Sequence, residues 1–136
     1  MAASQEIGVT QKREVDTTVH QELRSGNWFV PATDIYETPE SVILVMDLPG
    51  VCFDCAHVNI TNDELVVTGH VTHGEDQDDY VLYREYDVGH YHRHFGLPEA
   101  IERSEIVAGM ANGVLTVTMP KTQKAKPRRI PVQMRE

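Results

Sequence analysis

The sequence predicts an all-β sandwich, and three observations carry that reading. From Pro31 onward, short β-favouring runs recur between turn signals. Near the end, Ile106 to Pro120 alternates apolar with polar or small residues around Asn112-Gly113, the pair that a tight type I′ hairpin turn requires because both positions need positive φ. Helical periodicity, by contrast, is confined to a thin stripe in the first thirty residues.

Taken in order, residues 1–30 form a polar arm. Val15, Val19 and Leu23 at i, i+4 and i+8 before Gly26 predict at most a short, frayed helix, and Trp28-Phe29-Val30 is its one sticky stretch. Residues 31–120 hold the domain, with strands expected near 33–37, 42–48, 57–61, 64–71, 80–86, 89–96, 104–110 and 114–119. Val42-Ile43-Leu44-Val45-Met46 is apolar on both alternating faces, so it reads as a central strand covered on both sides. In the final hairpin Leu115, Val117 and Met119 share one face. Residues 121–136 are a flexible tail without a packing pattern, ending in Ile130-Pro131-Val132 and four further residues.

Composition narrows the function. At 136 residues and 40% apolar content there is room for one core plus arms. No apolar run exceeds the five residues Val42 to Met46, so no membrane span is expected, and the opening Met1-Ala2-Ala3-Ser4-Gln5-Glu6 lacks the features of a secretion signal. Two cysteines, too few to staple a small fold, fit a reducing cytoplasm. The net charge of −9 divides into −14 over the first 120 residues and +5 over the tail, and an acidic body repels nucleic acid. There is no G-x-x-x-x-G-K-[ST] loop for a nucleotide, and Ser4, Ser25, Ser41 and Ser104 sit outside any nucleophile elbow, so no enzymatic role and no cofactor are expected.

Five segments together resemble the α-crystallin domain of the small heat shock proteins. Ala108 to Leu115, with Ala108, Asn112, Gly113, Val114 and Leu115, matches A-x-x-x-N-G-V-L. Pro31 to Glu37 resembles the domain's opening, Asp47-Leu48-Pro49-Gly50-Val51 its D-L-P-G-V turn, and Val58 to Gly69 its V-x-I-x-x-x-x-L-x-V-x-G strand pair. Gly89 to Pro98 matches G-x-F-x-R-x-F-x-L-P with Tyr91 in place of the first Phe. The resemblance covers residues 31–120 and implies an immunoglobulin-like Greek-key sandwich. It also implies an ATP-independent holdase that binds non-native client proteins and assembles as a homodimer and higher homo-oligomer. The arm lacks the Phe-rich and aliphatic character common in that family, which weakens the expectation of large shells.

Site residues follow from the same resemblance. In non-animal members, a strand in the long loop pairs with the first strand of a second subunit; here that loop runs from Gly69 to Gly89, with Tyr80, Val81, Leu82, Tyr83 and Arg84 facing Asp34, Ile35 and Tyr36. In the family the I-x-V motif docks in an edge groove, here between Val58 and Ile60 on one strand and Ile106 and Val107 on another. Alternation alone leaves open which of the last two faces the groove. Pro131 keeps the backbone extended, so Ile130 and Val132 project to one side.

Other constellations are read from the residues. Arg93 shares a strand face with Tyr91 and Phe95 and is expected to meet a carboxylate or several carbonyls, because a buried unpaired guanidinium would cost several kcal/mol. His90, His92 and His94 lie on the opposite face, expected to be solvated, with the spacing to share a metal ion. Cys52-Phe53-Asp54-Cys55 is a C-x-x-C without the helix that thioredoxin-like chemistry needs, so the thiols read as adventitious. Two rival functions remain open: a co-chaperone-like sandwich that docks to one folded partner, and a redox- or metal-responsive protein using Cys52, Cys55 and the histidines.

Overall fold

A computed structural model describes residues 13–14, 27–71 and 80–136. They form nine strands: β1 Arg13–Glu14, β2 Trp28–Val30, β3 Thr33–Glu37, β4 Ser41–Asp47, β5 Val51–Thr61, β6 Glu64–Val71, β7 His90–Gly96, β8 Val107–Ala111 and β9 Val114–Pro120. Two sheets result, ordered β1-β2-β7-β6-β5 and β3-β4-β9-β8. This is the expected all-β sandwich. The helix expected around Val15, Val19 and Leu23 lies outside the described residues.

Turn chemistry sets the registers. Asn112 at φ 52° and Gly113 at φ 74° make the two-residue hairpin turn between β8 and β9. It pairs Met110 with Leu115 and Ala108 with Val117. A second such turn, Asn62 at φ 48° and Asp63 at φ 65°, joins β5 to β6. Pro49 and Gly50, the latter at φ 82°, sit between the Leu48 carbonyl and the Val51 N–H that donates to it at 3.2 Å, a type II turn that carries the chain from one sheet to the other.

The core lies between the sheets. Leu44, Met46, Leu115, Val117 and Met119 face Leu65, Val67, Phe29 and Tyr91, all buried, with Leu48, Leu97 and Ile101 closing the ends. β4 departs from the expectation of equal cover on both faces: Leu44 and Met46 are buried, while Ile43 and Val45 on the outer face are half-buried, because they neighbour only Tyr36, Asp34, Thr118 and Thr116 across the ladder.

Trp28-Phe29-Val30 is also corrected. It is a strand, parallel to β7, that puts Phe29 in the core and buries Trp28 on the outer face, so neither aromatic is a free sticky patch. Gly89 makes that approach possible: a Cβ there would collide with the Asn27 carbonyl and come within 2.6 Å of the Phe29 ring. The expected strand at 80–86 is absent from the single chain; Tyr80, Leu82 and Tyr83 are more than four-fifths exposed on irregular backbone with no ladder partner.

Two predictions follow from this packing. Gly89→Ala should destabilise the fold by about 1–3 kcal/mol through overpacking, and the emission of Trp28, the one tryptophan, should shift to the red, as read by fluorescence-monitored urea unfolding. At the far end of β3, Lys121 Nζ donates to Glu37 Oε1 at 2.6 Å. That hydrogen bond and the nearby ammonium charge hold the Glu37 carboxyl below its ordinary range. A lowered folded pKa stabilises above the unfolded value of about 4.3 and is lost as pH falls through the folded one. The small stability difference between wild type and Glu37→Gln in urea should therefore be present at neutral pH and vanish in strong acid.

Candidate functional site

Among the described residues each sheet ends in two edge strands, and one edge of each lies close to the other: β5 of the first sheet and β8 of the second. Register decides which side chains face the gap. Val58 and Ile60 pair with Val67 and Leu65 and so share their inward face. Val58 packs on the core half-buried, whereas Ile60, nearer the strand end, is 42% exposed.

On the opposite wall Ile106 packs against the core while Val107, paired with Thr118, stands on the outer face and is 62% exposed. The choice that alternation left open falls to Ile106, and Val107 is not a wall of the groove. Met110 joins Ile106 on that wall. It went unnamed in the sequence reading, yet the Asn112-Gly113 turn fixes Met110 opposite Leu115, which is enough to point it inward. The two open edges are therefore flanked by the half-buried apolar side chains of Val58, Ile106 and Met110.

The remaining predicted residues fall into separate places. Ile130 and Val132 are 71% and 98% exposed, so the tail does not seat in its own chain's groove. Asp34, Ile35 and Tyr36 lie on β3, whose far edge carries no further strand among the described residues; Ile35 and Tyr36 are more than half exposed. Tyr80, Val81, Leu82, Tyr83 and Arg84 are all exposed.

Arg93 is half-buried on the inner face of β7. Its Nη1 donates to the Pro31 carbonyl at 3.2 Å, and its guanidinium carbon lies 4.8 Å from the centre of the Phe95 ring. A carbonyl was among the expected receivers, and Phe95 was expected on the same strand face. Because Pro31 stands between β2 of one sheet and β3 of the other, this bond pins the crossover between the sheets. Arg93→Ala should cost about 1–3 kcal/mol, and Arg93→Lys should recover only part because an ammonium lacks the planar stacking surface; chemical denaturation of the three proteins measures both.

The histidines depart from the solvated ladder expected of them. His57, His70, His90, His92 and His94, five of the seven in the chain, gather on the outer face of the first sheet. Trp28 stands among them, its ring centre 5.0 Å from His90, 5.4 Å from His70 and 6.4 Å from His92. His92 is buried there, and His90 Nδ1 accepts the Val71 N–H at 3.0 Å. Among the described residues no three His, Cys, Asp or Glu side chains converge as a metal-binding group.

Cys52 and Cys55 are joined in a disulfide, which corrects their reading as adventitious thiols. The cause lies in register. Val51 pairs with Val71 and Ala56 with Gly69, so four residues of β5 loop out opposite His70 and their ends come together, with Cα atoms 5.1 Å apart. Among the described residues no helix is long and apolar enough to cross a membrane.

Comparison with known proteins identifies the family and the fold. A family model described as Hsp20/alpha crystallin family matches residues 34–133. The chain is 37% identical over 105 residues to spore protein SP21 of Stigmatella aurantiaca, covering 76% of this chain and 62% of that protein. It is 37% identical to a probable 15 kDa heat shock protein of Leptospira interrogans, covering 67% and 69% of the two, and 41% identical to a 16.9 kDa class I heat shock protein of Triticum aestivum, covering 69% and 64%. The match thus spans under two thirds of the first and third of these relatives. Among solved structures, a small heat shock protein from Xylella fastidiosa aligns with a TM-score of 0.62 at 33% identity, covering 77% of this chain and 97% of that one. Heat shock protein 16.0 from Schizosaccharomyces pombe aligns with a TM-score of 0.62 at 27% identity, covering 77% and 98%. The chain belongs to the Hsp20/alpha crystallin family, the small heat shock proteins.

Proposed function

We propose that the protein is an ATP-independent holdase, which binds unfolding proteins along its open edges and keeps them from aggregating. The observation that carries this reading is the pair of open strand edges on β5 and β8, with half-buried Val58, Ile106 and Met110 beside them. Such edges accept extended apolar segments without regard to sequence, by strand addition and by burial of alternate side chains.

Self-association uses the same physics. Tyr80, Val81, Leu82 and Tyr83 are exposed and outside both sheets, and among the described residues the far edge of β3 around Asp34, Ile35 and Tyr36 carries no further strand. Reciprocal pairing between two copies covers both at once and gives a symmetric dimer. Higher assembly rests on Ile130 and Val132 entering a neighbour's groove at Val58, Ile60 and Ile106. Burying two such side chains gives roughly 3–6 kcal/mol gross, and ordering the tail removes much of it. Each dock is weak, so assembly is reversible and a released groove becomes available to a client.

The test is light scattering from a thermolabile enzyme heated with and without this protein. Aggregation should fall as the ratio of this protein to enzyme approaches one, with no nucleotide added; an unchanged trace would refute the reading. Light scattering after size exclusion should show that a chain ending at Lys124 remains dimeric but forms nothing larger. Monomers would mean that the loop does not pair with β3.

A further inference from the structure

The looped-out segment of β5 has a chemistry that holding unfolded proteins does not use. Its four residues, Cys52 to Cys55, stand opposite the single residue His70 of β6, and the disulfide closes the neck of the loop. Phe53 at the tip is 74% exposed. The two sulfurs are not equivalent: Cys52 is exposed, while Cys55 is half-buried and packs on the core beside Ala56 and Val58. Both ends of the loop are anchored, since Val51 is buried and paired with Val71 and Ala56 is paired with Gly69.

We propose that Cys52 and Cys55 form a thiol–disulfide exchange site, open to small dithiols and disulfides, whose redox state sets the order of the β5 edge. An external thiolate attacks the exposed Cys52 sulfur; a new S–S bond forms, the Cys52–Cys55 bond breaks, and Cys55 leaves as a thiolate that takes a proton from water. The second thiol of a dithiol reagent then displaces Cys52, so that two electrons pass to the protein and the reagent leaves as its cyclic disulfide. Oxidation by a disulfide runs the same steps in reverse.

Anchored ends keep the two thiols adjacent after reduction, so the pair closes again without rearrangement of the sheet. A bridge across three residues constrains little of the unfolded chain, which makes it a poor staple for the whole domain. Its effect is local. It fixes the bulge in a strand that, among the described residues, pairs only with β6 and lies beside β8 of the other sheet. No helix N-terminus flanks the pair among the described residues, so it lacks the feature that stabilises the leaving thiolate in disulfide oxidoreductases. It therefore responds to the redox state of its surroundings and is not a catalyst for other proteins. This proposal stands whether or not the protein binds clients.

The full-length native protein, equilibrated with mixtures of reduced and oxidised dithiothreitol, quenched in acid and alkylated, is read by intact mass. The expected result is one step between no adducts and two, without denaturant. On wild-type protein, reduction should speed amide hydrogen exchange in peptides covering 51–58 and 66–71 by roughly tenfold and leave 107–120 unchanged. Cys55→Ser should take up glutathione from its disulfide at Cys52 roughly tenfold faster than Cys52→Ser does at Cys55, because access governs attack. Two adducts at every ratio, a disulfide that yields only on unfolding, or hydrogen exchange that ignores the redox state would each overturn the proposal. The exchange comparison needs no variant, so a misfolded mutant does not leave the question open.

Discussion

The pairing of β9 with β4 on one side and β8 on the other is the constraint from which the rest of the molecule follows. Its register puts Leu115, Val117 and Met119 on one face, opposite Leu65 and Val67 of the other sheet, and every one of these five is buried. A slip of one residue would turn Val114, Thr116 and Thr118 inward and lose the core contacts of the whole central pair. What prevents the slip is the Asn112-Gly113 turn at one end, where the Leu48 N–H also donates to the Gly113 carbonyl at 2.7 Å, and the Ile101–Lys121 bridge at the other. The same register leaves β8 on the rim, and so makes the groove.

Much of this was legible in the sequence because it depends on local rules. The hairpin turn, the alternation of β6 and β9 and the Pro49-Gly50 reversal are each decided by a few adjacent residues, and β3 and β6 run over the very residues expected of them. β2 was not legible. Three residues give no alternation to count, and their partner, β7, is sixty residues away and parallel, a pairing that no turn announces. Yet Gly89 was in plain view as part of a motif, and its role became visible only when Asn27 and Phe29 were found against it.

The site was legible in part for the same reason. Val58 and Ile60 lie inward because they alternate in step with the β5–β6 turn, whereas Ile106 and Val107 straddle the end of the short 3₁₀ turn Arg103–Glu105, where alternation has no fixed phase. The disulfide depended on a bulge that lengthens β5 against β6 by three residues, a tertiary register that C-x-x-C spacing does not reveal. Tyr80 to Arg84 has the composition of a strand and joins neither sheet of its own chain. Strand propensity describes what a segment can pair with, and neither sheet described in one copy takes this segment up.

The distribution of exposed apolar surface then limits how such a molecule can act on others. Both inner faces are consumed by the core. The outer face of the first sheet is occupied where Trp28 packs among His70, His90 and His92, so the strand that ends the arm has already claimed it. The outer face of the second sheet is a mixture of Thr116, Thr118, half-buried Ile43 and Val45 and exposed Val107, too interrupted by hydroxyls to form a broad adhesive patch. What remains is at the margins: Ile35 and Tyr36 on β3, Ile60 beside the groove, Phe53 on the β5 loop, and the free segments around Leu82 and Val132. Each of these lies on a strand edge or an extended segment, where main-chain hydrogen bonding is available beside the apolar side chain. On the proposed reading, such a surface would select partners by backbone conformation before sequence, because every extended chain offers the same ladder of N–H and C=O groups.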